Sequence, residues 1–167
     1  MNGDRSGGPA IDGARFRQVL GHFPTGVTVI TAATPGGPVG LAVGSFFSVS
    51  LDPPLVAFCA AKSSTSYPKL AAVGRFVVNV LAEDQEDVSR VFAATGADKF
   101  AGLGHKPSPI TGSPVLSGVL AWIDCDLEAV HEAGDHWIVL GRVLELEVGH
   151  EGKPLIFFRG GYGRYAQ

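Results

Sequence analysis

Apolar residues recur along this chain at two different spacings, and the changes of spacing mark out its elements. Phe16, Val19, Leu20 and Phe23 fall at i, i+3, i+4 and i+7, which is one face of a helix that Pro24 stops. The pattern then becomes short runs rich in Val, Leu, Phe and Thr. Residues 27–33, 39–50, 55–60 and 75–81 read as strands, with Pro35-Gly36-Gly37-Pro38 turning the first hairpin. Helices are predicted at 65–73 and 83–94. In the second, Val88, Val91 and Phe92 share a face, and Glu83, Asp84, Glu86 and Asp87 load the first turn, where the macrodipole favours negative charge. Residues 97–114 are so punctuated by Gly and Pro that they read as one long loop, a length usually tied to function. Three more strands follow at 115–130, 136–148 and 154–159, with turns at Glu132-Ala133-Gly134-Asp135 and at 149–153. Antiparallel strands on short turns, with only peripheral helices, predict a mainly β fold: an antiparallel Greek-key barrel rather than an α/β sheet.

Composition sharpens this picture. Residues 14–167 make one domain on length, able to bury about two thirds of its unfolded surface, and residues 1–13 read as a polar, Gly-rich, disordered tail. Hydrophobic residues are 46% of the chain and charged ones 17%. That is little charge to cover a monomer, so a homodimer is expected. A net charge of −3 supplies no clustered Lys and Arg to neutralise phosphates, so nucleic acid is not an expected partner. No apolar run approaches the ~18–20 residues that cross a bilayer, and no signal peptide opens the chain, so the expectation is a cytoplasmic protein without membrane contact. Cys59 and Cys125 sit in apolar runs with neither Cys-x-x-Cys nor His spacing and read as buried small hydrophobes.

Several familiar chemistries are missing. Gly160-Gly161-Tyr162-Gly163 has no following helix to receive a pyrophosphate, and no phosphate-loop motif or Gly-x-Ser-x-Gly elbow occurs, so neither a Rossmann site nor a serine hydrolase is expected. His131-Glu132-Ala133-Gly134-Asp135-His136 gathers metal-capable groups in one hairpin without the three-ligand spacing of a catalytic metal; His136 is either functional or a structural residue beside a turn-capping Asp135. Gly40 to Leu55 sets small and hydroxyl residues in a strand-like run closed by Asp52-Pro53-Pro54, which lets backbone approach a flat, phosphorylated ligand. Ser45, Ser48 and Ser50 are read as one hydroxyl face of that strand, with Gly44 and Phe46 on the other. Lys62-Ser63-Ser64-Thr65-Ser66 sets one cation and four hydroxyls at a helix start, either an anion site or an ordinary cap beside a solvated Lys.

Taken together, the run from Gly40 to Leu55 and the following Val56-Ala57-Phe58-Cys59-Ala60-Ala61-Lys62 to Ser66 resemble the short-chain flavin reductases, the FMN-binding split-barrel partners of two-component monooxygenases. The resemblance spans residues 16–162. It implies an FMN-binding split barrel and an NAD(P)H-dependent reductase of FMN or FAD, NADH being the expected donor, which hands reduced flavin to a separate monooxygenase. It also implies that Val43, Gly44, Ser45, Phe46, Ser48 and Ala60 wrap the flavin, and that Lys62, Ser63, Ser64 and Ser66 hold its phosphate. Phe100, in Asp98-Lys99-Phe100, lies near the flavin or else packs in a core. His136 lies near the nicotinamide and is the nearest candidate for a catalytic residue. Arg159 and Tyr162 steer the nicotinamide nucleotide or serve structure alone. Gly44 stands where the family usually has Ser, and Phe158 where it often has His. A flavoprotein that keeps its flavin and reduces another acceptor, and a non-catalytic flavin-binding barrel, are the alternative readings.

Overall fold

The computed structural model describes residues 10–96 and 98–166; most of the expected tail, residues 1–9, lies outside them. Helix α1 (Gly13–Leu20) starts at Asp12, whose carboxylate accepts from the Ala14 N–H at 3.1 Å. Strands β1 (Thr25–Gly26), β2 (Thr28–Thr34), β3 (Gly37–Val43), β4 (Phe47–Leu51) and β5 (Pro54–Ala61) follow. Then come α2 (Tyr67–Val73), β6 (Arg75–Val80), α3 (Glu86–Ala93), β7 (His105–Pro107) and β8 (Pro114–Leu116). The chain closes with β9 (Ala121–Ala133), β10 (His136–Val148), β11 (Leu155–Phe158) and β12 (Gly161–Arg164). No helix among the described residues is long and apolar enough to cross a membrane.

Seven strands pair antiparallel in the order β3-β2-β6-β9-β10-β5-β4, beside a three-stranded sheet β1-β11-β12 and the pair β7-β8. The run 39–50 is therefore not one strand. Chain neighbours β3 and β4 lie at opposite edges of the large sheet, joined only by residues 44–46. A flat sheet would hold its outer strands ~29 Å apart, at ~4.8 Å per spacing, whereas the chain from Val43 to Phe47 reaches at most ~14 Å. The sheet must curl until its edges nearly meet, and residues 44–46 bridge the gap. The single hydroxyl face does not hold: Ser45 and Ser48 are three residues apart, which a period of two puts on opposite faces, and Ser45 belongs to the break, Ser48 and Ser50 to β4, with a register shift between those two.

Apolar residues are consecutive in β2 and β6, where Val29, Ile30, Val77 and Val78 are fully buried, so both faces of the sheet's middle are covered. On one side Ile30, Phe58, Phe76 and Val139 pack with Leu70 of α2; on the other Val29, Val77, Leu116 and Trp122 pack with Phe92 of α3. The run 115–130 also divides, because β8 leaves the large sheet to pair with β7 inside the expected loop. Beyond β11 the Gly-rich end is a strand too. Arg159 and Gly160, at φ 50° and 79°, form a two-residue turn with left-handed backbone at both positions, the geometry that suits a tight hairpin. The apolar residues of that first face are not covered by the rest of the chain: Phe16, Val19, Leu20 and Phe23 are all more than half exposed.

Cys125 lies at the core, 0% exposed, and burial, reinforced by Asp124 and Asp126, pushes its thiol from 9.0 up to about 12. An unfolded chain loses this proton above pH 9.0 while the folded one keeps it. Protonation therefore favours the native state fully below pH 9.0, and that advantage is lost progressively as pH rises from 9.0 to about 12. Iodoacetamide at pH 8.5 is expected to label Cys59, half-buried at a cavity wall, and to leave Cys125 untouched until the protein unfolds. Mass spectrometry of the labelled peptides checks this; equal labelling of both would mean that the core opens.

Candidate functional site

The crossing at residues 44–46 forms one wall of a cavity of about 470 Å³. Its hold on the sheet is local: the Ser45 hydroxyl accepts from the Cys59 N–H at 2.8 Å and donates to the Cys59 carbonyl at 3.3 Å, which pins the crossing to β5. Gly44 keeps this wall thin. A Cβ there would sit 3.0 Å from the Thr25 hydroxyl oxygen, a buried atom with no hydrogen-bond partner.

Facing the crossing is the serine row between β5 and α2. Ser63, Ser64, Thr65 and Ser66 all line the cavity. The Ser64 oxygen accepts from the Tyr67 N–H at 3.1 Å, which leaves its O–H free to donate, and the Ser66 side chain makes no capping bond. Helix α2 spans only seven residues, so these hydroxyls, and not a long helix dipole, give the row its character. Lys62 turns outward: its ammonium donates to Glu132 and lies 4.9 Å from the Trp137 ring centre. That bond holds the Glu132 carboxyl below its usual range.

The third wall comes from the end of α3, residues 92–95, with Lys99 behind it. The Lys99 ammonium donates to the Gly40 carbonyl at 3.2 Å and the Phe92 carbonyl at 3.0 Å, and burial lowers its pKa. Sequence reasoning passed over this residue. Its only signal was a cation between Asp98 and Phe100 in a loop. His136 lines the cavity at the start of β10, opposite Ala61. Its Nδ1 shares a hydrogen bond with the Asp135 carboxylate at 2.7 Å, which holds Asp135 below the usual carboxylate range.

Of the residues singled out from sequence, Val43, Gly44, Ser45, Ser63, Ser64, Ser66 and His136 share this cavity. The others are placed elsewhere. Phe46 packs on the core, Ser48 lies exposed on β4, and Ala60 is fully buried in the core. Phe100 lines an adjoining lobe, edge-on to Phe92 at 5.1 Å. Tyr162 lines a smaller cavity on the far side of Val43 and Gly44, where its hydroxyl pairs with Ser89 at 2.8 Å and the Arg90 guanidinium covers its ring. Arg159 lines neither the main cavity nor the two beside it; its backbone N–H donates to Gly21 at 2.8 Å. Among the described residues no three His, Cys, Asp or Glu side chains cluster as metal ligands.

A thin backbone wall, a row of hydroxyls and one fixed cation make a receptor for something flat with a phosphate attached. Comparison with known proteins agrees with that chemistry. The model of the flavin reductase like domain matches residues 20–166. A flavin reductase of Pseudomonas putida is 56% identical over 94% of this chain and 92% of its own. The reductase subunit of a flavin-dependent monooxygenase from Rhodococcus jostii is 52% identical over 92% of this chain and 78% of its own. A solved NADH:FAD oxidoreductase of Streptomyces globisporus, in complex with NAD and FAD fragments, matches at TM-score 0.88 and 36% identity, covering 93% of each chain.

Proposed function

The chain belongs to the flavin reductase like domain family, and from that premise we propose that it is an NADH-dependent flavin reductase supplying reduced flavin to a separate monooxygenase. The observation that carries the reading is the meeting of the Gly44 wall with the serine row in one cavity. The residues fit a flavin nucleotide: a side chain at position 44 would press on the Thr25 hydroxyl and thicken the wall, and the row opposite offers hydroxyl donors to a phosphate. When bound, flavin supplies the electron chemistry. The chain contributes binding, orientation and exclusion of water. On this reading Val43, Gly44 and Ser45 support the ring system, and Ser63, Ser64 and Ser66 take the phosphate. His136, held by Asp135, orients the nicotinamide; Tyr162 stands in the separate cavity on the far side of Gly44, engaged by Ser89 and Arg90. Arg159 and Phe46 serve the fold.

The same reading takes the curled sheet as a split Greek-key barrel, one domain over residues 14–167, in the cytoplasm. It places a second copy of the chain over the exposed apolar residues of α1 and of β4, Phe47, Val49 and Leu51, because one copy leaves them in water. The test is anaerobic NADH oxidation by the purified protein with FMN and then FAD. Turnover that scales with added flavin supports a reductase using flavin as substrate; flavin binding without NADH consumption would sink it. Ser64→Ala is expected to raise the flavin dissociation constant about tenfold by removing a donor at the phosphate. Fluorescence titration measures it, and unchanged binding would remove Ser64 from the site.

A further inference from the structure

Trp122, Leu116 and Val119 floor a further cavity of about 510 Å³, which shares no lining residue with the nucleotide cavity. All three are 5% exposed or less, and His105, Lys106 and His150 stand around them as an exposed rim. An apolar floor with a few polar groups at its edge is the usual make-up of a small-molecule site. The two imidazoles are fixed in the same way. Nδ1 of His105 lies 3.2 Å from the Leu103 carbonyl, and Nδ1 of His150 lies 3.1 Å from the Val119 carbonyl. A carbonyl only accepts, so each Nδ1 carries the proton and each Nε2 is left as an acceptor in the neutral ring. His105 is also held edge-on to Phe100 at 5.3 Å. Lys106 makes no ion pair among the described residues, and no Asp or Glu among them lines the cavity.

The geometry points to an accessory site for a small aromatic acid that carries a hydroxyl group. The ring lies on the apolar floor beside Trp122, the carboxylate meets the Lys106 ammonium, and the hydroxyl donates to an imidazole Nε2. Other ligand classes fit less well. A phosphate offers oxygens that accept to a rim with two acceptors on it, and two imidazoles fall short of the three protein ligands that even an open metal site uses. The assignment does not depend on what fills the main cavity.

Calorimetric titration of 4-hydroxybenzoate and benzoate into the wild type, Lys106→Ala and the double variant His105→Phe with His150→Phe tests the site. All three positions are exposed, and Phe at position 105 keeps the contact with Phe100, so the variants keep their fold. We expect 4-hydroxybenzoate to bind the wild type about fivefold more tightly than benzoate, the worth of one hydrogen bond. Lys106→Ala weakens both acids about tenfold. The double variant erases the preference for the hydroxylated acid and leaves benzoate within about twofold. Saturating FMN leaves the binding of 4-hydroxybenzoate within about twofold, because the two cavities share no residue. Undetectable binding, equal affinity in the wild type and Lys106→Ala, a preference that survives in the double variant, or displacement of the acid by FMN overturns the site. Failure of FMN to bind would instead defeat the reductase reading, and the acid titrations would still decide this one.

Discussion

Gly40→Val is expected to raise the flavin dissociation constant at least about tenfold and to cost ~2–3 kcal/mol of stability by overpacking. A Cβ at Gly40 would lie 2.6 and 2.8 Å from two ring carbons of Phe92 and 3.1 Å from the Ile30 carbonyl oxygen. Phe92 is 1% exposed, packs edge-on against Phe100 at 5.1 Å, and belongs to the cavity wall, so a displaced ring disturbs the site. Lys99 ties the same two backbones together through the Gly40 and Phe92 carbonyls, so pushing the ring away also shifts the end of α3 and the cation that wall the cavity. One substitution thus strains the core and opens the site. Urea unfolding and flavin titration on the same preparation separate the two effects. A destabilised variant with unchanged flavin affinity would show that the wall moves independently of the core.

Asn79→Ala is expected to be the most destabilising exchange of a single polar side chain, at ~3–4 kcal/mol. Asn79 lies near the end of β6 with no solvent exposure. Its amide nitrogen donates to the Val29 carbonyl at 3.1 Å, the Thr31 hydroxyl at 3.0 Å and the Pro114 carbonyl at 3.4 Å, and its oxygen accepts from the Leu116 N–H at 2.8 Å. These bonds fasten β8 beneath the large sheet. Removing the side chain leaves the buried Leu116 N–H without its partner and without water, and takes a donor from the Val29 and Pro114 carbonyls. Chemical denaturation gives the loss directly; a value under ~1 kcal/mol would mean that the apolar contacts of Val115 and Leu116 hold β8 alone.

Much of this was legible in the residues. The middle strands announced themselves because both their faces are buried, and the serine row stood out because four successive hydroxyls precede a helix start. Other features are set by distant contacts that leave no local mark. Nothing in Gly44-Ser45-Phe46 differs from a strand interior; the break exists because the sheet curls and the chain must cross its gap. The spacing in α1 correctly gave a helix, but spacing alone does not say whether its apolar face meets its own chain. Lys99 sits in a segment with no periodicity, and its importance comes from joining the nearby Phe92 carbonyl to that of Gly40, far away in sequence. Strand β12 is short and rich in Gly, and it becomes a strand only because the Arg159-Gly160 turn lays it against β11.

The crossing at residues 44–46 also dictates an order of assembly. It joins strands adjacent in sequence that end up at opposite edges of the sheet, with five others between them. The cavity wall cannot exist until those five have paired, and several of their pairings link distant parts of the chain, such as β6 with β9 and β5 with β10. Contacts of that range form slowly, since the loops they close must first give up their entropy. The binding site therefore exists only in the assembled sheet, and a nucleotide bound there acts as a latch that stabilises the finished fold.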